Sequence, residues 1–159
     1  MAKVTLRQYG ERQFGGAAGA YGNTTTLRFQ LVTIANGSAQ NADVSTPIAS
    51  GDVVDLGPLP EGFRLDDAQI LVTTGMTATI TGSLGFAYED GVDDAGVPQD
   101  AAYFGAGIDL AAAGRKRTTG SKLVVLPKPA RLILTTAVAA NAKASAINVL
   151  VSGELQGPR

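Results

Sequence analysis

The run GDVVDLGPLPEGFRLDDAQILVTT, residues 51–74, decides the fold class. Val53, Val54 and Leu56 lead into Gly57-Pro58-Leu59-Pro60-Glu61-Gly62, and Phe63, Leu65, Ala68, Ile70 and Val72 lead out. Proline cannot donate to a β-ladder, and glycine reaches the backbone angles that tight turns need. The two strands are therefore expected to be separated by a rigid corner and not by a helix, which makes the centre of the chain antiparallel β.

The flanks repeat this texture. Before the corner, TTTLRFQLVTI over residues 24–34 alternates Leu27, Phe29 and Leu31 with Thr26, Arg28 and Gln30, the period of two expected of a half-buried strand. ANGSAQNAD, residues 35–43, is a loop with Asn36-Gly37 suited to a tight reversal, and a short strand is expected over residues 44–48. After the corner, residues 78–88 place Ile80, Gly82, Leu84, Phe86 and Tyr88 on one parity, with Gly82 and Gly85 permitting a bulge or a close backbone approach. An acidic loop follows over residues 89–99. Residues 100–117 hold the only helix-compatible turns, over 100–104 and 109–113, so irregular structure with brief helix lying across the sheet is expected there. Strands return over residues 121–126, 130–137 and 145–155, the first two separated by Pro127-Lys128-Pro129 and the last with Ile147, Val149 and Val151 on one face. Seven or eight strands with unequal connections fit an all-β, antiparallel β-sandwich of jelly-roll-like form. No repeat suggests a solenoid or a propeller.

Residues 1–23 stand apart as an extended Gly-rich N-terminal arm, leaving residues 24–159 as the sandwich domain. Gly10, Gly15, Gly16, Gly19 and Gly22 interrupt the arm, and such a segment loses much backbone entropy on ordering. It nevertheless carries Val4, Leu6, Tyr9, Phe14 and Tyr21, which are unusual in a pure linker. A disordered tail is one reading; an arm that orders against a neighbouring subunit is the other, and the apolar anchors favour it.

Composition narrows the function. The 13 basic and 14 acidic side chains give a net charge of -1, so no general basic field draws the chain to nucleic acid or to an anionic membrane. With no apolar run of about 18 residues and no charged-then-apolar leader, a soluble chain that keeps its N-terminus is expected. The absence of cysteine removes disulfides and thiolate metal sites and fits a reducing environment for assembly. The absence of histidine removes the commonest general base and metal ligand, so no enzyme, cofactor or metal is expected.

Each remaining chemical candidate has a plainer reading. Glu89, Asp90, Asp93 and Asp94 lack the spacing of an EF-hand loop and read as a solvated turn. Asp66 and Asp67 are neighbours in a strand, point to opposite faces and cannot share a proton. Arg115-Lys116-Arg117 has no phosphate-binding motif around it and reads as a solvated turn or as a rim cluster meeting an acidic partner surface. Tyr103 and Phe104, just upstream, read as core or as anchors of that same contact.

The run Val54-x-Leu56-Gly57-x-Leu59-Pro60-x-Gly62-x-x-Leu65, the threonine-rich strand after it, FGAGIDLAAAGR at residues 104–115 and the Pro-flanked strands ending in a valine-rich strand resemble the capsid decoration, or cement, proteins of tailed bacteriophages. The likeness extends over residues 52–153. It implies a jelly-roll bound to the outer surface of a capsid assembled in the host cytoplasm, with the major capsid protein as partner, a homotrimer as the working form, and no chemistry. On that reading Tyr9, Phe14 and Tyr21 anchor the arm, with Arg7 and Arg12 as polar contacts. The alternative is a receptor- or carbohydrate-binding module of a phage fibre or spike, which the lack of tryptophan and the presence of only four tyrosines disfavour. A carboxylate-dependent hydrolase would need two acids converging in a cleft.

Overall fold

The computed structural model describes residues 2–5, 24–118 and 122–157. Among these the chain forms ten strands and no helix: β1 (Lys3–Thr5), β2 (Thr24–Thr33), β3 (Val53–Leu59), β4 (Phe63–Thr74), β5 (Thr81–Tyr88), β6 (Asp100–Asp109), β7 (Gly114–Arg117), β8 (Val124–Val125), β9 (Ala130–Ala137) and β10 (Ser145–Leu155). They form two sheets, one in the order β1-β3-β9-β5-β6 and one in the order β2-β10-β4-β7, with β8 also on β4. Every pairing is antiparallel except β1 with β3. Setting aside β1 and β8, the chain crosses between two four-stranded sheets at every connection except β5–β6, in a jelly-roll-like order.

The corner of residues 60–62 behaves differently from a hairpin turn. β3 and β4 do not pair with each other as an antiparallel hairpin would; they belong to opposite sheets. Pro58 and Pro60 have no N–H to give a ladder between them, and Gly62 takes φ 72°, a left-handed angle that costs glycine little. The corner is then held by others: Gly62 N donates to Leu126 O (2.8 Å), and Gln156 N donates to Gly62 O (2.8 Å). Alternation along the strands faces Leu27, Phe29 and Leu31 of β2, Ile147, Val149 and Val151 of β10, Leu65 and Ile70 of β4, and Leu84, Phe86, Leu132 and Leu134 of the other sheet into one core.

Four expectations need correction. Residues 44–48 form no strand; the segment makes one isolated bridge, Ser38 to Pro47, because its proline cannot continue a ladder. Residues 100–117 are strand and not helix: β6 pairs with β5, and β7 crosses to pair with β4. The aspartates that looked like helix starts instead cap turns, Asp109 Oδ1 accepting from Ala111 N (2.9 Å) and Ala112 N (3.2 Å) and Asp100 Oδ1 from Ala102 N (2.8 Å). The strand expected over 121–126 shrinks to Val124–Val125. Val4, assigned by sequence to the arm, is buried in the core through β1. The glycine expectation in β5 holds, since the register opposite β6 shifts on both sides of Leu84 and a Cβ on Gly85 would sit 2.0 Å from Asp100 O.

One end of the sandwich is tied by Asn141, a buried side chain in the β9–β10 loop. Its Nδ2 donates to Lys143 O (2.9 Å), Thr33 Oγ1 (3.0 Å) and Gly37 O (3.3 Å), while its Oδ1 accepts from Thr77 N (3.1 Å) and Thr77 Oγ1 (3.2 Å). Thr77 N can only donate and the two carbonyls can only accept, so the amide has one possible orientation. Asn141→Ala leaves several buried partners unsatisfied and is expected to lower the melting temperature by roughly 5–10 °C. Asn141→Asp, which turns a carboxylate oxygen onto the carbonyls of Gly37 and Lys143, is expected to lower it further. Calorimetry in which Asp is tolerated better than Ala would contradict this hub.

Candidate interaction surface

The outer face of the β1-β3-β9-β5 region carries a groove of about 480 Å³, lined by Lys3, Val53, Asp55, Tyr88, Arg131 and Ile133 among others. Asp55 is buried there, an unusual place for a carboxylate. Arg131 Nε lies 3.0 Å from both of its oxygens, and Lys3 Nζ approaches Oδ2 at 3.5 Å. Arg131 Nη1 is 3.9 Å from Glu89 Oε1. This network fastens β1 to the sheet together with two backbone clamps: Ala2 N donates to Asp52 Oδ1 (2.9 Å), and Thr5 N donates to Asp43 Oδ1 (2.9 Å).

The carboxylates of the acidic loop are used locally. Asp93 Oδ1 accepts from Asp94 N (2.9 Å) and Gln99 N (2.7 Å), and Asp94 Oδ1 accepts from Gly96 N and Val97 N, both at 2.9 Å. Asp90 pairs with Lys128 (2.8 Å), which holds its carboxyl below the usual range with help from Val92 N. No group of three or more metal-ligating side chains occurs among the described residues, and no helix is long and apolar enough to cross a membrane. Tyr88 lies between this loop and the core: its hydroxyl donates to Val97 O, and Lys128 Nζ stands 4.5 Å from the centre of its ring. Burial first, and then the carboxylates of Asp94, Asp93 and Asp90, pushes its phenol up to about 12.

The other candidates separate. Asp66 sits in the bulge of β4 opposite β10 and binds Arg64 (2.6 Å), whereas Asp67 faces Arg117 (3.3 Å) and Thr118 Oγ1 (3.2 Å). The bulge sets both acids between the core residues Leu65 and Ala68, so the alternation expected to separate them is broken there, but they pair with different cations. Arg115 and Arg117 project outward from β7, and Lys116 reaches Asp109 at 3.6 Å. Phe104 is buried and stacks edge-on with Tyr103 at 4.9 Å, and Tyr103 with Phe86 at 5.5 Å, so this pair packs against the core. Arg7, Tyr9, Arg12, Phe14 and Tyr21 lie outside the described residues. Sequence reasoning passed over Asp55 and Arg131; the only signal is a lone acid in VVDLGPL and a lone base in ARLIL, two otherwise apolar strands.

No protein-family model matches this sequence, and no curated protein sequence matches it. Solved structures do. The fold is similar to a chain in the structure of the capsid of Ralstonia phage GP4, with 20% identity, coverage of 99% of this chain and 100% of that one, and a TM-score of 0.62. It is also similar to a chain in the cyanophage Pam1 capsid asymmetric unit, with 16% identity, coverage of 84% and 85%, and a TM-score of 0.55. At these identities the likeness is one of fold.

Two measurements check the local chemistry. The native state holds the Tyr88 proton more tightly than the unfolded chain, so the stability this group contributes is intact below the ordinary phenol value near 10 and is lost as pH rises through about 12. Tyr88→Phe is expected to remove that alkaline step from a stability-against-pH curve, and an unchanged curve would contradict the assignment. Removing one partner of a buried ion pair costs about 3 kcal/mol or more. Arg131→Met, which strands buried Asp55 with only the exposed Lys3, is therefore expected to be more destabilising in urea than Asp55→Asn; equal losses would contradict the network.

Proposed function

We propose that this chain is a structural virion protein that binds the outer surface of a phage capsid and stabilises the shell, a decoration or cement protein acting as a homotrimer. The observation that carries this reading is the end-to-end likeness to a whole chain of a phage capsid structure, with nothing substantial left over on either side. A chain without histidine or cysteine, whose loop acids hold their own backbone amides, suits a binding role and not a catalytic one. The fibre or spike alternative has less support: Tyr88 is buried and Tyr103 is packed against Phe104, so neither offers the open aromatic platform that sugars favour.

Stabilisation follows from linkage. A protein that binds the assembled lattice better than its dispersed subunits shifts the equilibrium toward the lattice by their difference in affinity. Repeated weak contacts joined by trimerisation give avidity without large interfaces. Residues 6–23 connect β1, which ends at Thr5, to β2, which begins at Thr24, and on this reading their Arg7, Tyr9, Arg12, Phe14 and Tyr21 make the contact with a neighbour.

That connection dictates the test. Truncation from the N-terminus would also remove Val4 from the core and Ala2 from its clamp, confusing loss of contact with loss of stability. Replacing residues 7–21 with a Gly/Ser linker spares β1. The variant is expected to melt like the wild type and to lose co-sedimentation with undecorated phage capsids. Full retention of binding would overturn the role given to this segment.

A further inference from the structure

The two ends of the sandwich differ in charge. β2, β4, β6 and β9 all finish at one end, where the register sets Thr33 beside Ser145, Thr74 beside Ala146, and Thr81 beside both Asp109 and Ala137. The connections there are residues 34–52, 75–80, 110–113 and 138–144, and Asp43, Asp52 and Lys143 are their only ionisable side chains. Asp52 is buried on Ala2 N and Ala49 N, and Asp43 is turned onto β1, where its Oδ1 accepts from Thr5 N. That leaves Lys143, beside the start of β10. The opposite end carries Glu61, the four acids of residues 89–94, Lys122 and Lys128.

Ile34 and Val138, two of the four large apolar side chains exposed among the described residues, stand on the uncharged end, 47% and 66% exposed. Val138 (φ 79°) and Thr79 (φ 71°) hold left-handed angles that β-branched residues rarely adopt, and both side chains are exposed, so packing inside the chain does not offset the strain. The loops are nevertheless fixed. Asn141 joins Gly37, Thr77 and Lys143, Met76 N donates to Leu110 O (2.9 Å), and Leu110 N donates to Ile80 O (3.1 Å). A surface that is already ordered and carries no charge loses little on dehydration, whereas the acids of the other end would each lose their solvation. Depletion of charge is also what sets the buried centre of a protein interface apart from the rest of a surface.

Size decides between occupants. Four strands about 5 Å apart, in two layers about 10 Å apart with their outward side chains, make an end roughly 20 Å square, or about 400 Å². Two such ends would bury about 800 Å² in total, the size of a lattice contact and short of the roughly 1,200 Å² at which stable pairs begin. One copy therefore does not hold another by this end alone, but a lattice that engages several joined copies at once can use it. We propose that this end, carrying Ile34 and Val138, is the one by which the chain stands on the capsid shell, against a shell surface that is itself uncharged. The inference rests on the decoration reading of the preceding section and names the surface through which it works.

Charges placed on one end or the other test it in the full chain. Ile34→Asp with Val138→Asp charges the proposed contact; aspartate accepts the left-handed angle better than valine, and both positions are exposed, so the pair is expected to fold. Val92→Asp with Leu123→Asp makes the same change of charge and removes the other two exposed apolar side chains, at the opposite end. Binding isotherms come from co-sedimentation with undecorated phage capsids, with melting temperatures read on the same samples. The first pair is expected to raise the dissociation constant about tenfold or more, since its acids are desolvated without partners, and the second to leave it within about threefold. Should the first pair melt early, Ala112→Asp with Val138→Asp makes the same test without touching Ile34, the less exposed of the two. Wild-type affinity retained by a folded variant with a charged end, or lost equally by the control, overturns the contact and leaves the decoration reading standing. A wild type that is dimeric in light scattering and made monomeric by the first pair puts a second copy on this end and also overturns the contact. A wild type that ignores capsids overturns both.

Discussion

Pro58 and Pro60 sit where β3 would have to ladder with β4, and neither has a donor to give. That constraint sends the chain across to the facing sheet at residues 60–62, with Gly62 supplying the left-handed angle and Leu126 and Gln156 supplying the missing hydrogen bonds. Once β3 and β4 belong to different sheets, every later connection but β5–β6 crosses between the sheets, apart from the short β8, and β9 and β10 enter as the central partners on each side, β9 between β3 and β5 and β10 between β2 and β4. Alternating apolar residues then meet across one core instead of lining a single sheet with a bare face. The corner also explains why long-range pairing dominates this fold: sequence neighbours seldom become sheet neighbours.

Polar groups are placed with the same economy. Asn141 satisfies three loops at one end, Asp52 and Asp43 clamp the two ends of β1, and the acidic loop folds its carboxylates onto its own amides. Asp55 is the exception, a buried acid on an outer sheet face held by Arg131 and Lys3. Asp55 and Glu89 line the same groove, where Arg131 stands between them and pairs with both. What the surface offers is shape and charge: a groove beside β1, a mixed-charge outer face on β2-β10-β4-β7 and an acidic loop. Those are the materials of association.

The strands with strict alternation were legible in the sequence. TTTLRFQLVT, ARLILTTA and SAINVLVSGEL formed where their period of two put them, because one buried face leaves little freedom of register. Residues 100–117 misled, since alanine-rich turns opened by aspartate resemble helix starts until a neighbouring strand competes for the same backbone groups. The sheet assignment of β3 and β4 was not legible, because a corner and a hairpin share the same turn residues and differ only in which distant strand accepts the backbone. Asp55 with Arg131 escaped for a related reason: their strands pair through a register shift, so the two side chains meet without being opposite one another. The resemblance to capsid decoration proteins rested on the order of such segments, and the fold neighbours are chains of phage capsid structures.

The role proposed for this sandwich is to stabilise a phage shell by binding it. The most direct measurement of the proposed role is the temperature at which undecorated phage capsids come apart, with and without saturating purified protein. A rise in that temperature that saturates with occupancy of the shell is predicted. An unchanged disruption temperature, with the protein left in the supernatant, would contradict the account.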